Sequence, residues 1–233
     1  MLRKLAVLAL IAIVLVVAFV YAGIYVRGRI ETAVTQQLPT RIGPAKSYAT
    51  KASGGALGMM RGHIDSIVVH GEGVRVRDSV LLDTMDVALH GITFDPRQRR
   101  LSGIRRADFV VTLNENELNN YMRQCRPDIG ELDINLLNGH FTVSARPAMA
   151  LDRSTITAEG TLSIIDGDKL VLDLSSARAP TRPVSETHRA LLQDSMNPIL
   201  DISGVKFHPK LTSVTITPGR LKLTGVVEHI TTR

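Results

Sequence analysis

Residues Leu5 to Val26 form an apolar run of 22 residues with no charge inside it. As a helix, such a run spans about 33 Å, against roughly 30 Å for the hydrocarbon core of a bilayer. It therefore predicts a transmembrane helix. Arg3 and Lys4 precede the run, Arg27 and Arg29 follow it, and Tyr21 and Tyr25 fall near its far end, where aromatic side chains favour the interface. A secretory signal has a shorter apolar stretch, about 7 to 15 residues, before a small-residue cleavage site. Val20-Tyr21-Ala22 offers such a site, so cleavage near Ala22 stands as the alternative to a retained anchor. The basic start and tiny N-terminal tail favour a single-pass protein with a cytoplasmic N-terminus and a domain on the extracytoplasmic, periplasmic side. Both readings export the domain. The expected organisation is an anchor over residues 1–29 and one domain over residues 30–233, long enough for a sizeable core.

Beyond the run, the pattern changes to strands. Met85, Val87 and Leu89 alternate with Asp86 and His90, and Val74 and Val76 with Arg75 and Arg77. Phe109, Val111 and Leu113 follow, then Leu132, Ile134 and Leu136, then Phe141 and Val143. Period two with one apolar face predicts half-buried antiparallel strands, about ten in all. Asn138-Gly139, Asp166-Gly167 and Pro218-Gly219 mark turns, the last joining two strands as a hairpin. Helical spacing appears three times. Ile30, Val34 and Leu38 suggest a short helix ending before Gly43-Pro44. Asn114 caps a second, with Glu117 as capping-box partner. A third begins near Ser185 and ends or kinks at Pro198. Strands with a few separated helices predict an α+β fold.

Catalytic signatures are missing. The seven histidines show no paired metal-ligand spacing. Gly71-Glu72-Gly73 lacks the third glycine of a dinucleotide fingerprint, and no G-x-S-x-G elbow occurs. Cys125 is the only cysteine, so no internal disulfide forms. No catalytic residue, metal or cofactor is expected. Without Arg3 and Lys4 the chain holds 26 basic and 22 acidic residues, a mild surplus that suits anionic lipid or an ordinary soluble surface. Trp is absent, which argues against single-stranded nucleic acid as a partner.

Two features suit binding. Arg97, Arg99, Arg100, Arg105 and Arg106 fall within ten residues, and arginine forks suit the phosphate oxygens of a lipid head group. The plain alternative is a solvated loop. On the third helix, Leu191, Leu192, Met196 and Ile199 share a face. They form core if packing is complete, or line an apolar groove for acyl chains if the sheet curls and leaves a slot.

Several segments together resemble the LmeA-like phospholipid-binding family of bacterial envelope proteins. They are Gly62-His63-Ile64-Asp65-Ser66-Ile67-Val68-Val69, Leu82-Asp83-Thr84-Met85-Asp86-Val87, Gly91-Ile92-Thr93-Phe94-Asp95, Thr112-Leu113-Asn114-Glu115-Asn116-Glu117-Leu118-Asn119, Met196-Asn197-Pro198-Ile199-Leu200-Asp201 and the final hairpin with Gly219-Arg220-Leu221. The resemblance covers roughly residues 30–230. It implies a tubular lipid-binding type of fold, a long curved antiparallel sheet wrapped around helices, and a phospholipid partner at a membrane, with an anionic lipid as one option. It implies a non-enzymatic role in lipid transport or envelope maintenance. A structural adaptor that binds an envelope protein, and an envelope hydrolase or transferase with an unrecognised site, stay open as rival readings.

Overall fold

A computed structural model describes residues 27–231 apart from 56–57, 59–60, 77–79, 96–99, 126–130, 147–154, 180–183 and 205–206. The predicted anchor and cleavage site lie outside the described residues. Among the described residues no helix is long and apolar enough to cross a membrane.

The chain opens with α1 (Arg27–Arg41), then runs through β1 (Ser47–Ser53), β2 (His63–Val76), β3 (Val80–Asp95) and β4 (Arg100–Asn114). After α2 (Glu115–Cys125) come β5 (Glu131–Leu136), β6 (Phe141–Arg146), β7 (Ile156–Ile165) and β8 (Lys169–Arg178). Finally α3 (Glu186–Met196) leads to β9 (Leu200–Asp201), β10 (Lys210–Thr217) and β11 (Arg220–Thr231). The fold is mostly β with a few helices. The single long sheet expected from the sequence is divided into two antiparallel sheets, a six-stranded one ordered β1-β2-β3-β4-β11-β10 and a five-stranded one ordered β5-β6-β7-β8-β9. Backbone hydrogen bonds tie the two along β10: Gly139 N–H donates to Ile216 O (3.1 Å), Gly219 N–H to Leu136 O (3.0 Å) and Leu211 N–H to Gly167 O (2.6 Å). The Asn138-Gly139, Asp166-Gly167 and Pro218-Gly219 turns that the sequence predicts are therefore also the joints between sheets.

Period-two alternation builds the core. Val87, Leu89, Phe109, Val111, Leu132, Ile134, Phe141 and Val143 are all buried on one face. The alternation slips in four strands at the same place, and β2 and β3 slip a second time near Gly73. Ile64, Ile92, Ile104 and Ile230 form one cross-strand row of buried side chains, and Ile67, Leu89, Ala107 and Val227 form the next. Two residues, not one, separate the rows in every strand, as Gly91 and His90 do in β3. Gly91 (φ 62°) and His229 (φ 52°) take left-handed backbone there. Because the slip is shared, the register survives while the sheet turns a corner, the usual effect of bulges and glycine kinks on curvature.

All three predicted helices are present. In α1, Val34 and Leu38 are buried against the core. Asn114 caps α2, its Oδ1 accepting from Glu117 N–H (2.9 Å). The Glu117 carboxylate turns away from the predicted capping box and accepts from Leu81 N–H (3.4 Å). Ser185 caps α3 by accepting from His188 N–H (3.3 Å), and the helix ends at Met196, two residues before Pro198.

Polar side chains on these helices close sheet edges. On α2, Glu115 accepts from Leu136 N–H (2.6 Å), Asn119 both donates to Ile134 O (2.8 Å) and accepts from Ile134 N–H (2.7 Å), and Arg123 donates to Leu132 O (3.2 Å). The helix side chains step by four residues while the strand steps by two. Four residues of helix rise about 6 Å and two of strand about 6.6 Å, so the two ladders stay in phase for two turns. The α3 segment does the same along β8. Arg189 donates to Leu174 O, Gln193 accepts from Leu174 N–H (3.0 Å), and Asn197 brackets Leu172 (2.7 and 2.9 Å). At β1, Glu31 of α1 accepts from Ala52 N–H (2.9 Å).

Candidate functional site

The helix face singled out in the sequence splits in two. Met196 is fully buried and Ile199 nearly so. Leu192 is partly buried against the same core. Leu191 is 61% exposed. Three of the four side chains thus meet the interior and one meets solvent, because the Arg189-Gln193-Asn197 ladder fixes the rotation of α3 about its axis.

Three residues of the arginine cluster, Arg100, Arg105 and Arg106, fall among the described residues. Arg97 and Arg99 lie outside the described residues. Arg100 opens β4 and pairs through its backbone with Asp95. Arg105 lies across Gly91, at the corner, where the absence of a β-carbon leaves room for it. Arg106 grips Asp108 with Nε and Nη2 (2.6 to 3.1 Å). That contact raises the Arg106 pKa further and makes the pair a self-neutralised unit on the outer face of the sheet.

The same outer face carries two histidines opposite carboxylates. His70 Nδ1 lies 2.6 Å from Asp86 Oδ1, and His90 Nε2 lies 3.5 Å from Asp108 Oδ2. The hydrogen bond to Asp86 raises the His70 pKa, with Glu72 (3.6 Å) adding to it and partial burial opposing it. No group of His, Cys, Asp and Glu among the described residues is arranged to hold a metal ion.

Two concave sites are lined by described residues. One, of about 540 Å³, lies between α2, β5 and β6. Its guanidiniums are matched: Arg146 pairs with Glu131 (2.8 Å) and Arg123 reaches Asp133 (3.9 Å). The other, of about 630 Å³, lies where β10 begins beside β11, lined by Phe207, His208, Lys210, Val226, Glu228, His229 and Thr231. Its floor includes Phe207, which packs against the core. Phe207 (φ 67°), His208 (φ 47°) and His229 (φ 52°) all hold left-handed backbone. Sequence reasoning missed this second cleft. Its residues come from two segments with no motif between them, and only the β10–β11 register and the left-handed turn bring them together.

The model of the LmeA-like phospholipid-binding family matches residues 20–226, most of the chain. The chain belongs to this family. The match runs across both sheets and all three helices and ends at Val226, so the last residues of β11, among them Glu228, His229 and Thr231 of the second concave site, lie beyond it. It also sets phospholipid as the class of ligand, in line with the resemblance seen in the sequence. No curated protein and no solved structure matches.

Proposed function

We propose that this member of the phospholipid-binding family holds its lipid non-covalently, as a carrier or keeper of envelope lipid and not as an enzyme. The observation that carries the reading is the family match across a curled sheet whose inner face is largely apolar. Acyl chains would lie along that inner face beside Leu192, Met196 and Ile199 of α3, where side chains such as Met adapt to varied apolar partners. The apolar run at Leu5 to Val26 would tether the domain outside the cytoplasm, at the bilayer that supplies its lipid. A tether raises the effective concentration of the domain at that surface. Cleavage near Ala22 would leave the same domain untethered.

The test is direct. The full chain is purified in a non-ionic detergent, and its bound lipid is extracted and identified by mass spectrometry. Phospholipid at a fixed ratio to protein is the expected result. A chain that carries no phospholipid, and takes none from labelled vesicles, ends the proposal. N-terminal sequencing of the mature protein decides between tether and cleavage.

A further inference from the structure

The cleft at the start of β10 is lined by three basic side chains, His208, Lys210 and His229, together with Thr231. Some basic side chains elsewhere meet carboxylates, as Arg106 meets Asp108, Arg146 meets Glu131, and Lys169 meets Asp166 and Asp168, while among the described residues others such as Lys51 and Lys222 do not. His208, Lys210 and His229 have no such partner among the described residues. Glu228, the carboxylate in the lining, stands opposite Arg106 in the β4–β11 register, and its charge acts on that guanidinium.

The backbone points the same way. Three of the four non-glycine residues with positive φ among the described residues line this one cleft. Left-handed backbone is unfavourable for a residue with a β-carbon, most of all for a bulky one such as Phe207, and strain of this kind gathers at ligand sites. The volume lies within the range of small-molecule sites.

We infer that this cleft receives the phosphate of a bound phospholipid head group, an assignment that rests on the phospholipid reading above. Lys210 supplies a point charge, the two imidazoles and Thr231 supply directed hydrogen bonds, and Phe207 and Val226 supply apolar contact for the glycerol end of the lipid. Such a set of donors beside apolar carbon fits a phosphate ester attached to an apolar body.

The test uses the full chain in a non-ionic detergent and native mass spectrometry. Three probes are titrated: dioleoylphosphatidylglycerol, dioleoylglycerol (the same chains without phosphate) and inorganic phosphate. The variant is the triple substitution His208→Asn, Lys210→Gln, His229→Asn, since Asn tolerates left-handed backbone. The expected result is phosphatidylglycerol binding weakened about tenfold or more, with dioleoylglycerol binding unchanged. Should the triple variant fail to fold by circular dichroism, Lys210→Gln alone is measured, and a loss of the same sign is expected. Unchanged phosphatidylglycerol binding in a folded variant overturns the assignment. Saturable binding of inorganic phosphate that no phospholipid displaces overturns the head-group source. A wild-type chain that binds neither lipid sinks the phospholipid reading itself, a different outcome from either of these.

Discussion

Asn119 of α2 and Ile134 of β5 make two hydrogen bonds to each other, with the amide donating to Ile134 O and accepting from Ile134 N–H. Asn119 thereby takes the place of a neighbouring strand at the open edge of β5. Asn197 repeats the arrangement on Leu172 of β8. Helices thus cover edges that would otherwise offer free backbone groups to another chain, a hazard that proteins manage explicitly. Replacing Asn119 by Leu leaves a buried N–H and C=O of Ile134 without partners. The expected loss is about 2–4 kcal/mol of stability, read from the midpoint of urea unfolding at constant slope. A loss below the range of ordinary surface substitutions would show that the side-chain bridge is dispensable.

Gly225 stands directly opposite Phe109 in the β4–β11 pair. A β-carbon there would fall 2.2 Å from the Phe109 ring and 2.6 Å from Lys210 O. Gly225→Ala forces the ring or the β10 backbone to move, at a cost of about 1–3 kcal/mol. Thermal unfolding is the measurement. Gly139, whose added β-carbon would meet nothing within 4 Å, serves as a control for space, although its left-handed backbone (φ 78°) still disfavours a side chain.

Met196 and Leu191 separate core from surface on one helix. Met196→Ala is expected to cost about 2–5 kcal/mol, because it opens a cavity in a fully buried site. Leu191→Ser, at a position 61% exposed, should change stability by no more than about 0.5 kcal/mol. Equal losses in the two variants would contradict the observed rotation of α3.

His70 gives a pH dependence with a defined sign. Its folded pKa is raised, chiefly by the hydrogen bond to Asp86. The pair therefore stabilises the fold below the unfolded imidazole pKa, and this contribution is lost as pH rises through the higher folded value. The His70 and Asp86 side chains are 41% and 47% exposed, so solvent screening keeps the contribution below about 1 kcal/mol. The melting temperature of wild type should exceed that of Asp86→Asn by more at pH 5 than at pH 9. A difference that does not vary with pH would remove the pair from the account.

Much of the fold was legible in the chain because its signals are local. Asn138-Gly139 and Pro218-Gly219 set turns through backbone preference, and Asn114 and Ser185 cap helices through their own oxygens. The candidate sites were less legible. The arginines between Arg97 and Arg106 read as one cluster; the contact of Arg105 with Gly91 depends on strand register, and Arg106 binds Asp108 two residues along its own strand. His208 and His229 read as isolated residues, yet they line one cleft.

By itself the sequence determined which residues face the core, since a strand's period of two is written in its order of apolar and polar residues. It also determined the turns, the helix starts and the family. Tertiary structure decided the division into two sheets, the shared corner at Gly91 and His229, the docking of α2 and α3 on strand edges, and the cleft at β10. The reason is physical. Each of these depends on a match between segments distant in the chain, such as the near-equal rise of four helical and two strand residues. A local pattern records a residue's preference for a face and leaves open which neighbour will meet it there.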